Sequence, residues 1–146
     1  GIRVEAFPAE KDETDAELAL DYCLKEGIKN IIIVGSMGGR FDQQLANVFL
    51  LEYAYRRGLK TVIREPGKQI GIIDKEIVFK NNEKDRLSLI PISEKVTGVT
   101  IKGCKYGLSD EELYRYRTRG ISNVISGKEA VVKVQKGIIL YIKDES

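Results

Sequence analysis

The chain has 146 residues, a net charge of +2 and 42% hydrophobic residues, values typical of one or two ordinary globular domains. It contains no His, which excludes imidazole bases, Ser-His-Asp triads and His-ligated metals. The two Cys form no CxxC pair, so we expect reduced, buried thiols in a cytoplasmic protein. No apolar run approaches the roughly 20 residues of a membrane span, and the small net charge indicates no polyanionic partner.

The first 66 residues alternate strand and helix patterns. A Thr-x-x-Glu capping box at Thr14 predicts a helix that ends near Gly27, and apolar spacing predicts a second helix from about Asp42 to Arg57. Short apolar runs predict three strands around these helices: Val4–Phe7, Ile31–Val34 and Thr61–Ile63. This order predicts an α/β domain with a parallel, Rossmann-like sheet over residues 1–66. Three strands make a thin layer, so we expect that the first part of this domain is absent from the chain.

After Pro66 the pattern changes to closely spaced strands, which predicts an all-β sandwich over residues 67–146. One helical interruption is predicted at Ser109–Tyr116, where Ser109-x-x-Glu112 has the form of a capping box. The predicted strands are Ile70–Ile73, Glu76–Phe79, Leu87–Pro91, Val96–Lys102, Ile121–Ile125, Ala130–Val134 and Ile138–Ile142.

Two loops follow predicted parallel strands and open helices, which is where open α/β folds bind ligands. In the first, Asp12 and Asp15 are three positions apart and could share one Mg²⁺ with substrate phosphates. They could equally be helix N-terminal acids that complement the helix dipole. In the second, the glycines of 35–39 and Arg40 could bind phosphate, with Asp42 as a metal or cation ligand. The alternative is a glycine turn with Asp42 as the N-cap.

A third segment, Thr118–Asn123, places Ser122 and Asn123 beside a strand, where they could recognise a heteroaromatic amine or simply form a turn. The preceding Tyr114–Arg119 segment interleaves aromatic residues with arginines, a pattern that can stack bases and bind phosphates. An exposed amphipathic segment has the same pattern.

Taken in order, these segments resemble the thiamine pyrophosphokinase family. The residues are FPAEKDETDAELAL from Phe7, GGRFDQQLAN from Gly38 and GISN from Gly120, with LSLIPI from Leu87 and TIKGCKYGL from Thr100 resembling family sandwich strands. The resemblance implies transfer of the pyrophosphoryl group of ATP to the hydroxyethyl oxygen of thiamine, giving thiamine diphosphate and AMP. It also implies an N-terminal α/β domain, a C-terminal sandwich, and a homodimer with thiamine near the subunit interface.

Carried onto this sequence, the resemblance implies four sets of site residues. Catalysis is assigned to Asp15, Arg40 and Asp42, and Mg²⁺ to Asp12 and Asp15. Thiamine is assigned to Asp42, Ser122 and Asn123. ATP is assigned to a set that overlaps the first two, namely Lys11, Asp12, Thr14, Ser36, Gly38, Gly39, Arg40 and Gln43, the last standing where many relatives have His.

Two departures from the family pattern matter. The family's Gly-Asp-x-Asp-Ser motif would lie before Gly1, so we expect this chain alone to be inactive. The chain also lacks Trp, which some relatives place beside thiamine; Tyr106, Tyr114 or Tyr116 could substitute. Two alternatives to thiamine pyrophosphokinase are a pyrophosphokinase for another heterocyclic alcohol, such as a pterin, and a non-catalytic nucleic-acid-binding module using Tyr114–Arg119. The family reading implies no nucleic-acid partner.

Overall fold

The computed structural model describes residues 14–80 and 84–146. The predicted strand Val4–Phe7 and the predicted site residues Lys11 and Asp12 lie outside them. Two helices and ten strands follow in the order α1 Asp15–Lys25, β1 Asn30–Val34, α2 Phe41–Arg56, β2 Lys60–Glu65, β3 Lys68–Ile73, β4 Glu76–Lys80, β5 Arg86–Pro91, β6 Lys95–Lys102, β7 Leu108–Tyr114, β8 Asn123–Val124, β9 Glu129–Lys133 and β10 Ile139–Asp144.

The strands form two sheets. The first has six strands in the order β1-β2-β3-β10-β5-β8, and the second has four in the order β4-β9-β6-β7. β1 and β2 pair in parallel, as predicted, with Val34 opposite Arg64. β3 turns back and pairs with β2 in the antiparallel sense. The predicted boundary at 66/67 lies in the turn between these two paired strands and stays a prediction.

Alternate side chains of the six-stranded sheet pack on opposite layers. On β10, Ile139 and Tyr141 lie in the core shared with the four-stranded sheet, whereas Leu140 lies in the core under α2. β3 alternates in the same way, with Ile73 in the first core and Ile70 in the second. Because successive residues of a strand point to opposite faces, one sheet supports both the sandwich and the helical layer.

The helix boundaries follow from local chemistry. Thr14 caps α1, since its Oγ1 accepts the backbone N–H of Glu17 at 3.3 Å, which confirms the predicted cap. α2 begins one residue earlier than predicted. Its N-cap is Arg40, which makes no side-chain cap hydrogen bond, so the alternative with Asp42 as N-cap is wrong. Gly27 and Gly58 follow the two helices with φ of 74° and 78°, as helix-ending glycines commonly do.

The predicted helix at Ser109–Tyr116 is wrong, because the segment forms strand β7 against β6. Its side chains are used across the sheet: Glu112 pairs with Lys95 at 2.9 Å, and Leu113 is 1% exposed in the sandwich core. Asp110 donates its backbone N–H to Thr100 Oγ1 instead of entering a helical turn. Tertiary pairing therefore overrides the capping-box pattern.

The described residues bear on the predicted state of the cysteines and on the prediction that no segment spans a membrane. Both cysteines are free, but they are half-buried and so less enclosed than predicted. Burial raises the pKa of the Cys104 thiol, which keeps that side chain protonated at neutral pH. Across 14–80 and 84–146, neither helix is long and apolar enough to cross a membrane.

Candidate functional site

The topology directs the starts of both helices toward one edge of the sheet. α1 is joined to β1 by residues 26–29, and α2 to β2 by residues 57–59, so both helices end near the beginnings of the strands. Their first turns, with Asp15 and Asp42, are consequently directed toward the carboxyl edge of β1 and β2. Convergence of the two carboxylates on one cleft stays a prediction.

The acidic segment is described only from Thr14 onward. Thr14 and Asp15 are exposed at the start of α1. Within 14–80 and 84–146, no group of three or more His, Cys, Asp and Glu side chains could hold a metal ion. The described residues thus do not form a complete protein metal cage. Mg²⁺ usually needs only one or two carboxylates when phosphates supply the rest, so Asp15 would have to be joined by a nucleotide.

The loop between β1 and α2, residues 35–40, is fixed by side chains around it. Glu65 Oε1 accepts the N–H of Ser36 at 2.7 Å and of Met37 at 3.2 Å. Asn47 Nδ2 donates to the Ser36 carbonyl, and Gln44 Nε2 to the Gly39 carbonyl, both at 2.9 Å. The glycines that make the turn possible are Gly35 and Gly39, with φ of 70° and 88°.

Arg40 and Asp42 form a bidentate ion pair at the end of this loop. Arg40 Nε donates to Asp42 Oδ1 at 3.1 Å, and Nη2 donates to Oδ2 at 2.5 Å. The Arg40 guanidinium holds the pKa of Asp42 below its usual range, and Asp42 in turn raises the pKa of Arg40. The N–H of Gln43 adds a bond to Asp42 Oδ1 at 2.9 Å. Both charged side chains stay exposed and can reach a ligand.

Asn123 lies beside a cavity in the sandwich part. The cavity has a volume of about 600 Å³, and its lining includes Tyr106, Thr118, Gly120 and Asn123. Asn123 is 5% exposed, and its carboxamide is largely engaged: Oδ1 accepts the N–H of Tyr106 and Nδ2 donates to the Tyr106 carbonyl. The residue therefore holds the cavity wall, while the ring of Tyr106 is 62% exposed at the cavity.

Ser122 is part of the turn that delivers Asn123. It is exposed with φ of 58°, and its N–H donates to Ser88 Oγ at 3.0 Å. Gly120, with φ of 100°, accepts the Leu89 N–H through its carbonyl at 2.9 Å. These left-handed residues end the strand pattern predicted for Ile121–Ile125, which is why β8 contains only Asn123 and Val124.

The Tyr114–Arg119 segment is engaged by neighbouring groups of the chain. Arg119 pairs with Glu111, and Arg115 Nη1 donates to the Ile92 carbonyl at 3.3 Å. The Tyr114 hydroxyl donates to Glu112. Two of the three arginines are thus committed within the chain, which does not favour a phosphate-tracking surface.

Two parts of the chain match models of known protein domains. Residues 1–63 match the model of the thiamin pyrophosphokinase catalytic domain. Residues 74–139 match the model of the thiamin pyrophosphokinase vitamin B1 binding domain. The chain belongs to the thiamin pyrophosphokinase family. The loop between β1 and α2 lies in the first matched range, and the residues that line the Asn123 cavity lie in the second.

Members of the family resemble nearly the whole chain in sequence and in structure. Thiamine pyrophosphokinase of Bacillus subtilis (strain 168) is 34% identical over 148 residues, which cover 94% of this chain and 65% of the relative. A crystal structure of the Bacillus subtilis enzyme superposes with a TM-score of 0.85 at 31% identity, covering 94% of this chain and 65% of that one. The structure from Geobacillus thermodenitrificans gives 0.81 at 29% identity, with 96% and 65% covered. The chain spans slightly less than two thirds of these relatives.

The residues that hydrogen-bond the loop between β1 and α2 were not predicted from the sequence. Glu65 was detectable in principle, because it ends a strand parallel to β1 at the carboxyl edge, where open α/β folds bind ligands. Gln44 and Asn47 stand in the family-like segment GGRFDQQLAN, but their bonds to the loop were not predicted, since polar residues on a helix are usually solvated. Tyr106 was one of three candidate aromatics, and only the fold places it at the cavity with Asn123.

Proposed function

We propose that this chain is part of an enzyme that carries out the thiamine pyrophosphokinase reaction, the transfer of a pyrophosphoryl group from ATP to the hydroxyethyl oxygen of thiamine, and that the chain alone is inactive. The single observation that carries the proposal is the ordered match of both family domains to the two parts of the chain. Phosphoryl-type transfer depends mainly on positioning and charge stabilisation, so a chain without His is chemically suited to it.

On the nucleotide side, we assign the exposed Gly38, Gly39 and Arg40 to the ATP phosphates, with Thr14 and Gln43 at the same edge. A planar guanidinium bridges phosphate oxygens well. Asp42 would then release part of its bond to Arg40 and face the cationic acceptor. Asp12 and Asp15 remain the proposed Mg²⁺ ligands, and the metal would neutralise phosphate charge when bound.

On the acceptor side, the cavity suits the uncharged ring of thiamine better than its cationic ring. Lys105 lies over the Tyr106 ring at 5.3 Å from its centroid, and Arg119 also lines the cavity, so the local charge is positive. We therefore place the aminopyrimidine against Tyr106, with Ser122 and Asn123 at its edge, and the thiazolium directed out toward Asp42.

The distance between the β1–α2 loop and the Asn123 cavity supports a homodimer. β1 and β8 stand at opposite ends of the six-stranded order, five strand intervals apart, or about 24 Å at the usual spacing. Group transfer needs the reacting atoms within about 3.5 Å. We propose that the loop of one subunit meets the cavity of another. The finer assignments of a Rossmann-like N-terminal sheet and a cytoplasmic location belong to the same proposal.

Calorimetry with separate ligands tests the acceptor. Thiamine should bind, a pterin alcohol should bind at least tenfold more weakly, and Tyr106→Ala should reduce thiamine affinity. Tyr116→Ala is the matched control, because Tyr116 is 72% exposed and is not among the residues lining the cavity. Preference for the pterin would replace thiamine as the acceptor. A steep loss of nucleic-acid binding with rising salt would instead favour the binding-module alternative.

Subunit complementation tests the shared site. In a protein that also carries the Gly-Asp-x-Asp-Ser motif, Arg40→Ala and Asn123→Ala should each reduce AMP formation from ATP and thiamine. After the two variants are unfolded and refolded together, half of the dimers carry one site with both native residues. Activity should recover to about a quarter of the native value. No recovery, with mixed dimers shown to be present, would place both residues in one subunit's site.

A further inference from the structure

The loop between β1 and α2 already binds an anion of the same chain, the carboxylate of Glu65 at the end of β2. One oxygen, Oε1, accepts two successive backbone N–H groups, from Ser36 at 2.7 Å and from Met37 at 3.2 Å. Successive N–H groups pointing to one centre form the concave site that proteins commonly use to bind phosphate or carboxylate. Here that position is filled by the chain itself.

The fold fixes Glu65 in this place from two directions. β2 lies parallel to β1 with Arg64 opposite Val34, so the next residue, Glu65, stands beside the start of the loop. On its other side Glu65 pairs with Lys68 across a Pro-Gly turn, in which Gly67 has φ of 68°. Proline followed by a left-handed glycine is the signature of a rigid type II turn. The carboxylate is therefore presented by a well-defined backbone.

The two halves of the loop differ in exposure. Ser36 and Met37 are half-buried, and the Ser36 carbonyl also accepts a bond from Asn47 at 2.9 Å. Gly38, Gly39 and Arg40 are exposed. The Ser36 and Met37 N–H groups and the Ser36 carbonyl are consequently bonded to protein side chains, whereas the second half of the loop faces solvent, where a ligand can approach.

We propose that Glu65 is a positioning residue that acts as the resident anion of this loop. It occupies the Ser36 and Met37 N–H groups and sets the conformation in which Gly38, Gly39 and Arg40 are presented to an incoming phosphate. The backbone N–H groups offered to a nucleotide would then be those of the second half of the loop, so Ser36 would not bind ATP through its N–H. The nucleotide part of this inference rests on the proposed function, but the resident-anion part does not.

Amide hydrogen exchange measured by NMR tests the resident anion directly. Glu65→Ala should accelerate exchange at Ser36 and Met37 by about tenfold or more, because a charge-assisted bond is lost. Adding inorganic phosphate should slow these two amides again in Glu65→Ala and leave them unchanged in the native chain. Glu65→Gln retains an uncharged acceptor, so its exchange rates should lie between the two. Glu129→Ala, at an exposed position in β9, is the matched control.

Three results would overturn the proposal. The first is unchanged exchange at both amides in Glu65→Ala. The second is phosphate protection of these amides in the native chain, which would mean that the ligand displaces Glu65. The third applies if Glu65→Ala does not fold: exchange in Glu65→Gln no faster than in the native chain would remove any role for the charge.

ATP titrations separate this inference from the proposed function. With a preset loop, Glu65→Ala should weaken ATP binding several-fold, and inorganic phosphate at low concentration should partly restore it. If the amides respond as expected but no variant, nor the native chain, binds ATP, the proposed function fails and the resident anion stands. If ATP binds equally well to the native chain and Glu65→Ala, the positioning role fails.

Discussion

The carboxamide of Asn123 forms two hydrogen bonds with the backbone of Tyr106, one to its N–H and one to its carbonyl. Oδ1 accepts the Tyr106 N–H at 3.0 Å, and Nδ2 donates to the Tyr106 carbonyl at 2.6 Å. The same Oδ1 accepts the N–H of Val124 at 3.0 Å. The loop before β7 is thereby joined to β8, and the exposed Tyr106 is held by partly buried hydrogen bonds to the buried Asn123.

Removing this connection should reduce stability as well as acceptor binding. Asn123→Ala removes three hydrogen bonds to the backbone of Tyr106 and Val124, and we expect a loss of about 1–3 kcal/mol in the free energy of unfolding. Urea denaturation measures it. Ser122→Ala is the adjacent control, since only the backbone N–H of Ser122 bonds to Ser88, and it should stay within about 0.5 kcal/mol. Equal effects of the two substitutions would contradict a stabilising role for the Asn123 hydrogen bonds.

Gly120 should tolerate a side chain less well than Gly27. Both have positive φ, 100° and 74°, so alanine strains the backbone at each by about 1–2 kcal/mol. At Gly120 a Cβ would also stand 2.9 Å from the Leu89 carbonyl oxygen, whereas at Gly27 no atom lies within 4 Å. Thermal unfolding should therefore show a larger loss for Gly120→Ala. Matching melting temperatures would mean that the turn relaxes away from β5.

Arg40→Gln should raise the pKa of Asp42 toward its ordinary value, as followed by carboxyl-carbon NMR. The folded-state pKa of Asp42 is lowered chiefly by the hydrogen bond from Arg40, so the contribution of this pair to stability is present above the unfolded pKa. It is lost as pH falls through the lower, folded pKa. Arg40→Lys keeps the charge and should give an intermediate pKa. A native Asp42 that titrates like the Arg40→Gln variant would refute the ion pair.

Tyr53 should ionise only in strongly alkaline solution. Its hydroxyl donates to Asp21 at 2.5 Å, and this bond, with partial burial, raises the pKa of Tyr53 to about 12. Because the folded pKa lies above the usual value near 10, the stabilising effect is complete below about pH 10 and disappears as pH rises toward 12. Difference titration at 295 nm between the native chain and Tyr53→Phe measures it. A Tyr53 signal centred near pH 10 would contradict the bond.

Much of the fold was accessible from the sequence, because periodicity and turn residues agree with the tertiary structure. Ile31–Val34 and Thr61–Ile63 are parallel strands, and Thr14 caps its helix as predicted. The misassigned segment, Ser109–Tyr116, has a genuine capping pattern that is outweighed by the burial of Leu113 and by cross-strand pairing. Local signals cannot weigh a contact whose partner lies elsewhere in the chain.

The candidate site was predictable only as a set of residue types. The sequence pointed to Arg40 and Asp42 in a glycine loop, but their mutual ion pair depends on the rotamers that the loop allows. It also suggested a contact role for Asn123, whereas the side chain is mostly committed to Tyr106. A hydrogen bond over 17 positions, like the one from Ser36 to Glu65 over 29, has no sequence period that would reveal it.

The position of β10 has a consequence for synthesis. β10, Ile139–Asp144, follows every other described strand in the chain, yet it lies in the middle of the six-stranded sheet, between β3 and β5. Until a ribosome has released these residues, β3 and β5 each lack a neighbour, and the two hydrophobic cores that contain β10 side chains lack a central strand. Closure of both layers is thus tied to one late segment, and a nascent chain that stops before it presents two open strand edges to chaperones and to other chains.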